Sequence, residues 1–421
     1  MSRKTLLRLT ALIAIVVFVL GAARSYTAVE AGNANGKPIT SQYIIVLKDG
    51  ANPHMMAQAS GGEVLYIYEH AIKGFAVRMP EQAANALRNN PNVASVVQDE
   101  VVQLSSNELP SSVARISAQA GQTIPTGIRR INGNTNSTLA GNGSGSVNVD
   151  VAVIDTGIDT SHPDLNVVGG KNCVKGPNSY NDGNGHGTHV AGTIAAKDDG
   201  AGVVGVAPGA RLYAVRVLNN QGSGTTSSVV CGIDWVASQS AIIEVANMSL
   251  GGSGTDSTCG GADTYHNAIC TAVSRGITFV VAAGNSNVDA KDSRPATYDE
   301  VITVSALADF NGAAGGGAAS TCRADVDDTR ADFSNFGADV DIMAPGVCIY
   351  STWMGAGYNT ISGTSMASPH AAGAAALYKA NNPSATPSQV KNALQSSGNL
   401  NWDASDDGDS IKEKLLDVGT Y

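Results

Sequence analysis

Apolar residues between positions 43 and 98 come in short runs whose spacing switches between strand-like and helix-like periods. Runs 43–48, 64–68, 73–79 and 93–98 read as strands, and 52–60 and 81–88 as short helices. Residues 41–104 therefore predict a small α+β module of ferredoxin-like βαββαβ order. Residues 105–120 are polar, with Ser and Pro, and read as a cleavable linker. From 121 to 421 the pattern changes. Continuous apolar stretches at 151–154, 212–217, 242–248, 278–282 and 301–305 alternate with helical spacing at 225–237 and 263–274, which predicts an α/β domain on a doubly wound parallel sheet. Such sheets bind ligands beyond the C-terminal ends of their strands. The Ala- and Gly-rich run 371–378 reads as a helix buried on every side. Pro369 is expected in its first turn, where a missing N–H does no harm. Ser365 then falls at a helix N-terminus, where backbone N–H groups and the dipole favour a developing anion.

Ahead of the small module, Arg3, Lys4 and Arg8 precede an apolar run from 9 to about 23. That run is shorter than the roughly 20 residues that span a bilayer, so residues 1–31 read as a secretory signal sequence, with cleavage after Ala23 or Ala31. A retained membrane anchor is the alternative. Export agrees with six cysteines, all beyond residue 121 and none in a CxxC pair. Their order favours Cys259 with Cys270 and Cys322 with Cys348 as local loops, leaving Cys173 with Cys231. Only 15% of residues are charged and 48 are glycine, the composition of a turn-rich enzyme. Net charge is −10, and the excess lies after residue 120, a balance that argues against a nucleic-acid partner.

Three polar side chains stand where chemistry is expected. Asp155 ends the apolar run 151–154; His186 sits in the glycine-rich stretch Gly183-Asn184-Gly185-His186-Gly187; Ser365 precedes the small-residue helix. A serine hydroxyl is a weak nucleophile that needs an imidazole to take its proton, and the imidazole needs a carboxylate to fix its tautomer. Asp155-Thr156-Gly157, His186-Gly187-Thr188-His189-Val190-Ala191-Gly192 and Gly363-Thr364-Ser365-Met366-Ala367 resemble the three signature blocks of the subtilisin-like serine proteases, whose order Asp, His, Ser they share. The resemblance covers 122–395 and implies a triad of Asp155, His186 and Ser365. Val280-Val281-Ala282-Ala283-Gly284-Asn285 is similar to the family's oxyanion-hole segment, which gives Asn285 that role beside the Ser365 N–H. His189 competes as a base or zinc ligand, but no third ligand follows at metal spacing. The resemblance makes residues 41–104 an inhibitory propeptide, the chain's own intramolecular inhibitor.

Substrate is expected as an added strand between Gly222-Ser223-Gly224 and Ser249-Leu250-Gly251, with Gly284 nearby. No charge lines these segments, so an apolar or aromatic P1 side chain is expected. The family likeness also implies structural calcium. Its ligands would be the side chains of Gln122, Asp164 and Asp199 and the carbonyls of Lys197, Ala201 and Val203; a second site would use Asp341 with the carbonyls of Asp299 and Val301. Asp403 to Asp409 lacks calcium-loop spacing and reads as a solvated acidic turn. The whole reads as a secreted, extracellular serine endopeptidase acting on proteins or peptides as a monomer, with no nucleic acid and no stable membrane association. A silent binding protein on the same fold is disfavoured by the intact set Asp155, His186, Ser365 and Asn285. A serine esterase is disfavoured because Gly363-x-Ser365-x-Ala367 lacks a nucleophile elbow's second glycine.

Overall fold

The computed structural model describes residues 35–104, 121–405 and 407–421; the expected signal sequence, the expected linker and Asp406 lie outside the described residues. The leading module runs β1 (Pro38–Leu47), α1 (Pro53–Ala59), β2 (Glu63–Tyr68), β3 (Gly74–Arg78), α2 (Glu81–Leu87) and β4 (Val93–Gln103). Its strands lie in the order β2-β3-β1-β4, all antiparallel. Asn52 caps α1 by accepting the Met55 N–H, and Pro53 follows at the first helical position. One face of the sheet packs Tyr43, Ile45, Phe75 and Val77 on the two helices. The other face sends Ile44, Tyr68 and Ala76 into a core shared with Val229 and Ile233 of the following domain.

Strand β4 is five residues longer than the sequence pattern indicated. Its end pairs antiparallel with Ser223–Thr225, Val102 opposite Gly224 and Gln103 opposite Ser223. Apolar alternation breaks there because Asp99 is fully buried. Its carboxylate is satisfied by the other domain, accepting the Ser227 N–H at 2.9 Å and the Ser227 hydroxyl.

The larger domain contains α3 (Thr126–Arg130), β5 (Asp150–Asp155), β6 (Val167–Asn172), α4 (His186–Ala195), β7 (Arg211–Arg216), β8 (Ser223–Thr225), α5 (Thr226–Ser238), β9 (Val245–Met248), β10 (Gly252–Ser253), α6 (Thr264–Ser274), β11 (Thr278–Ala282), β12 (Ser293–Arg294), β13 (Ile302–Ala308), β14 (Thr329–Arg330), β15 (Ile342–Pro345), β16 (Ile349–Trp353), β17 (Gly357–Ile361), α7 (Thr364–Asn381) and α8 (Pro387–Ser397). Its main sheet runs β14-β13-β11-β9-β5-β7-β6, with β15 also on β13, and is parallel except at β14. Strand β5 explains its own composition. Val151 and Val153 enter the core beneath α4 and α7, while Ala152 and Ile154 enter the core beneath α5 and α6, so a strand covered on both faces is apolar at all four positions between its terminal aspartates. The doubly wound sheet is as expected, and the three disulfides join Cys173 to Cys231, Cys259 to Cys270 and Cys322 to Cys348.

Two expectations fail. The strand expected from 242 begins only at Val245, because Ile242 is 46% exposed in the turn that follows α5. Pro369 does not lie in the first turn of its helix. Helix α7 starts at Thr364 after Gly363, which puts Pro369 at the sixth helical position. The Ser365 carbonyl thereby loses its helical donor, and the Ser249 hydroxyl donates to it instead at 2.9 Å. Among the described residues no helix is long and apolar enough to cross a membrane.

Candidate active site

Asp155 is the last residue of β5 and His186 the first of α4. Gly185, at φ 113°, makes the turn into α4 tight: a Cβ there would lie 2.3 Å from the Trp353 ring. His186 Nδ1 lies 2.8 and 2.9 Å from the two Asp155 carboxylate oxygens, and both side chains are fully buried. A carboxylate at that distance makes Nδ1 the protonated nitrogen and Nε2 the basic end of the ring. Asp155 Oδ1 also accepts the Thr156 N–H at 2.7 Å, which fixes the carboxylate plane.

Ser365 is the second residue of α7, which packs against α4. It is 2% exposed, and its hydroxyl donates to the Ser249 carbonyl at 3.2 Å. Asn285 follows β11, and its Oδ1 accepts both the N–H and the hydroxyl of Thr364, at 2.8 and 2.9 Å. Two donors on the oxygen fix the amide's orientation and leave its NH2 as the donor end. Gly284 donates its N–H to Thr364 Oγ1 at 3.1 Å, and a Cβ on it would lie 2.4 Å from Asn335 Nδ2. Thr364 thus ties Asn285 to the serine's helix. Sequence reasoning passed it over, because a threonine at a helix start reads as an ordinary cap.

Strand β8 pairs antiparallel with β4 and so extends the leading module's sheet, and the Leu104 N–H donates to the Gly222 carbonyl at 2.9 Å. Gly222, Ser223 and Gly224 are therefore a strand-accepting edge. Ser249 is buried against Ser365, Leu250 is buried next to it in the chain, and a Cβ on Gly251 would lie 2.5 Å from the Arg294 carbonyl. Sequence reasoning also missed Asp234 on α5. Its carboxylate accepts the N–H groups of Glu69, His70 and Ala71, at 3.2, 2.7 and 2.6 Å, and so holds the β2–β3 turn of the leading module. An acid within an apolar helix was its only signal in the sequence.

The other two histidines near the site are held in the core. His189 Nε2 meets the Ile349 carbonyl at 2.9 Å and His370 Nδ1 the Met366 carbonyl at 2.8 Å. Burial drives their pKa values down to about 3 and about 4, which keeps both neutral.

Part of the expected calcium set is gathered. Gln122 donates its amide N–H groups to the Lys197 and Val203 carbonyls at 2.8 and 3.2 Å. Asp164 Oδ2 accepts the Val203 N–H at 2.9 Å. Gln122 Oε1 and Asp164 Oδ1 are buried without a hydrogen-bond partner, and burial, with Asp199 nearby, pushes Asp164 up to about 6. Two orphaned oxygens beside two inward carbonyls fit a hard cation. Asp199 itself turns its Oδ1 to the Ala201 N–H at 3.2 Å. The second expected site is corrected. Lys391 Nζ sits 3.0 Å from the Asp299 carbonyl, 2.9 Å from the Val301 carbonyl and 2.8 Å from Asp341 Oδ1, so an ammonium occupies the position expected for the metal.

An enzyme fold with an Asp–His pair and a helix-terminal serine belongs among the serine endopeptidases, and sequence comparison agrees. The subtilase family profile matches residues 146–411, and the peptidase inhibitor I9 profile matches residues 42–105. The chain belongs to the subtilase family. It is 45% identical over 278 residues to Subtilisin DY of Bacillus licheniformis, covering 65% of this chain and 91% of that protein. It is 38% identical over 374 residues to Subtilisin NAT of Bacillus subtilis subsp. natto, covering 86% of this chain and 87% of that one. A solved structure of a cold adapted subtilisin-like serine proteinase is similar at a TM-score of 0.56 and 38% identity, covering 70% of this chain and 97% of that one.

Proposed function

We propose that this subtilase is a secreted endopeptidase that hydrolyses peptide bonds through an acyl-enzyme on Ser365 and is made as a self-processing zymogen. The observation that carries the reading is the buried His186–Asp155 pair at 2.8 Å, with His186 heading α4 and a serine in the first turn of α7, the helix that packs on α4. In this mechanism His186 Nε2 takes the Ser365 proton and returns it to the leaving amine, while Asp155 stabilises the imidazolium. The NH2 of Asn285 and the Ser365 N–H donate to the oxyanion. Substrate adds as a strand along 222–224 and 249–251, with an apolar or aromatic side chain at P1, and the leading module blocks that edge until it is removed. The Leu104 N–H bonds the Gly222 carbonyl on the cleft edge, and the maturation cut is proposed within residues 105–121. Secretion from a signal at 1–31 completes the reading.

Calcium is proposed at Gln122, Asp164, Asp199 and the carbonyls of Lys197, Ala201 and Val203. It would supply charge balance for the loop and no step of the chemistry.

The test is the mass of the chain expressed with Ser365→Ala. The variant is expected to fold and keep residues 41–104 covalently attached, whereas the parent loses them. Self-cleavage by the variant would sink the role given to Ser365.

A further inference from the structure

The end of β4 lies on the edge where substrate is expected, so the side chains it presents there are a first example of what that edge accepts. Val102 and Leu104 are 5% and 7% exposed and belong to one apolar cluster with Leu218 and Leu250 of the larger domain. Gly222 makes room for the second of them, since a Cβ on it would lie 2.9 Å from Leu104 Cδ1. Side chains spaced by two share one face of a strand. The residue that continues this face upstream is Glu100.

Glu100 meets a cation of the larger domain. Its Oε2 accepts Arg294 Nη2 at 2.9 Å, with the two side chains 31% and 23% exposed. Arg294 ends β12, which pairs antiparallel with β10, Gly252 opposite Arg294 and Ser253 opposite Ser293. Strand β10 in turn continues the 249–251 segment, the second rim of the expected cleft. The guanidinium therefore stays behind when the leading module leaves. It is also held without Glu100. Its Nε and Nη2 donate to the Ser253 carbonyl at 3.2 and 3.1 Å, and Nη1 lies 3.4 Å from Asp263 Oδ2. Asp263 is fixed in its own right, accepting the Tyr298 hydroxyl at 2.7 Å and capping α6 through the Tyr265 N–H at 2.9 Å. A Cβ on Gly254 would collide with Arg294 Nε, so the lack of a side chain there opens the space the guanidinium fills. A donor already held in place loses little freedom when a carboxylate arrives.

We propose that Arg294 forms a subsite for a substrate carboxylate at the place Glu100 occupies, so that the mature enzyme favours acidic residues two and four positions ahead of the aliphatic side chains that replace Val102 and Leu104. This rests on the peptidase reading of Ser365. Asp263 offsets part of the arginine's charge and the pair is partly exposed, which keeps the preference moderate. A contact several residues ahead of the bond that is cut binds ground state and transition state alike, so it acts on KM and leaves kcat. The competing explanation is that the Glu100–Arg294 pair only holds the leading module in place and has no part in choosing substrates.

The test uses the mature enzyme and three capped peptides: residues 100–107 of this chain, and the same peptide carrying Glu100→Gln or Glu100→Lys. The parent enzyme is expected to show a KM about fivefold lower for Glu than for Gln, with kcat unchanged. The Lys peptide is expected to be worse than Gln, and high salt to shrink the differences. Arg294→Gln is expected to cleave the Glu and Gln peptides with equal KM, whereas Arg294→Lys keeps the Glu preference in weaker form. A parent that cleaves the three peptides equally overturns the subsite while leaving the peptidase reading intact, and so does an Arg294→Gln enzyme that still favours Glu. A parent that cleaves none of them overturns the peptidase reading and the subsite with it. The comparison in the parent needs no variant, so the proposal stays falsifiable if Arg294→Gln fails to fold.

Discussion

His189 and His370 show what a buried imidazole does to the acid side of stability. Both are neutral in the folded chain, with pKa values driven by burial from the ordinary 6.5 to about 3 and about 4. Below pH 6.5 the unfolded chain takes up protons that the folded chain refuses. Stability contributed by these groups is therefore complete above pH 6.5 and is lost as pH falls toward 4, at about 1.4 kcal/mol per pH unit for each histidine. His370→Asn is expected to reduce that slope by one histidine's share while raising little at pH 8; guanidinium midpoints of the Ser365→Ala chain across pH 4 to 8 would show it. An unaltered slope would mean that His370 takes up its proton without unfolding. The sequence already marked His189 as structural, since no third ligand followed it at metal spacing. It could not reveal Thr364, whose hydroxyl and N–H both serve Asn285, because that contact joins residues 79 positions apart. Lys391 was hidden for the same reason: its ammonium reaches carbonyls on another element.

At the scale of elements, α5 is the surface on which the leading module is held. Asp99 of β4 accepts at Ser227 in the helix's first turn, Asp234 further along accepts three N–H groups of the β2–β3 turn, and the Tyr68 hydroxyl donates to the Ser227 carbonyl at 2.9 Å. Hydrogen bonds to a charged acceptor contribute about 1.5–3 kcal/mol each. Asp234→Ala in the Ser365→Ala chain is therefore expected to lower full-chain stability by at least about 2 kcal/mol, read as a shift of the urea midpoint. A shift within error would show that the turn finds its acceptors in water. Most of these elements were legible as patterns: βαββαβ order, the alternating strands of the main sheet and the small-residue helix all follow from local periodicity. What was not legible depends on partners distant in the chain. The end of β4 looks like a broken strand until β8 is beside it, and Pro369 looks like a first-turn residue until the Ser249 hydroxyl is seen donating to the carbonyl it leaves unserved.

At the scale of the whole molecule, the two cation positions expected from the sequence part company, and a single comparison separates them. The cradle at Gln122 and Asp164 is expected to make thermal lifetime calcium-dependent, since an ion that binds only the folded state at about a hundred times its dissociation constant adds about 2.7 kcal/mol. Chelator should shorten the half-life of the mature enzyme, and Asp164→Ala should abolish most of the difference with little change in initial peptide hydrolysis. Lys391→Met should do the reverse, creating a new dependence on calcium at Asp341. Equal half-lives with and without chelator in the parent would remove the first cradle, and a Lys391→Met chain indifferent to calcium would remove the second expectation. The lysine has a further consequence. A counter-ion carried on a side chain has a local concentration set by its tether, so neither dilution nor dialysis can withdraw it. The edge of the sheet at Asp341 is closed by inheritance, whereas the loop around Gln122 has two buried oxygens and no tethered cation to meet them. What surrounds the molecule therefore decides how long that loop holds.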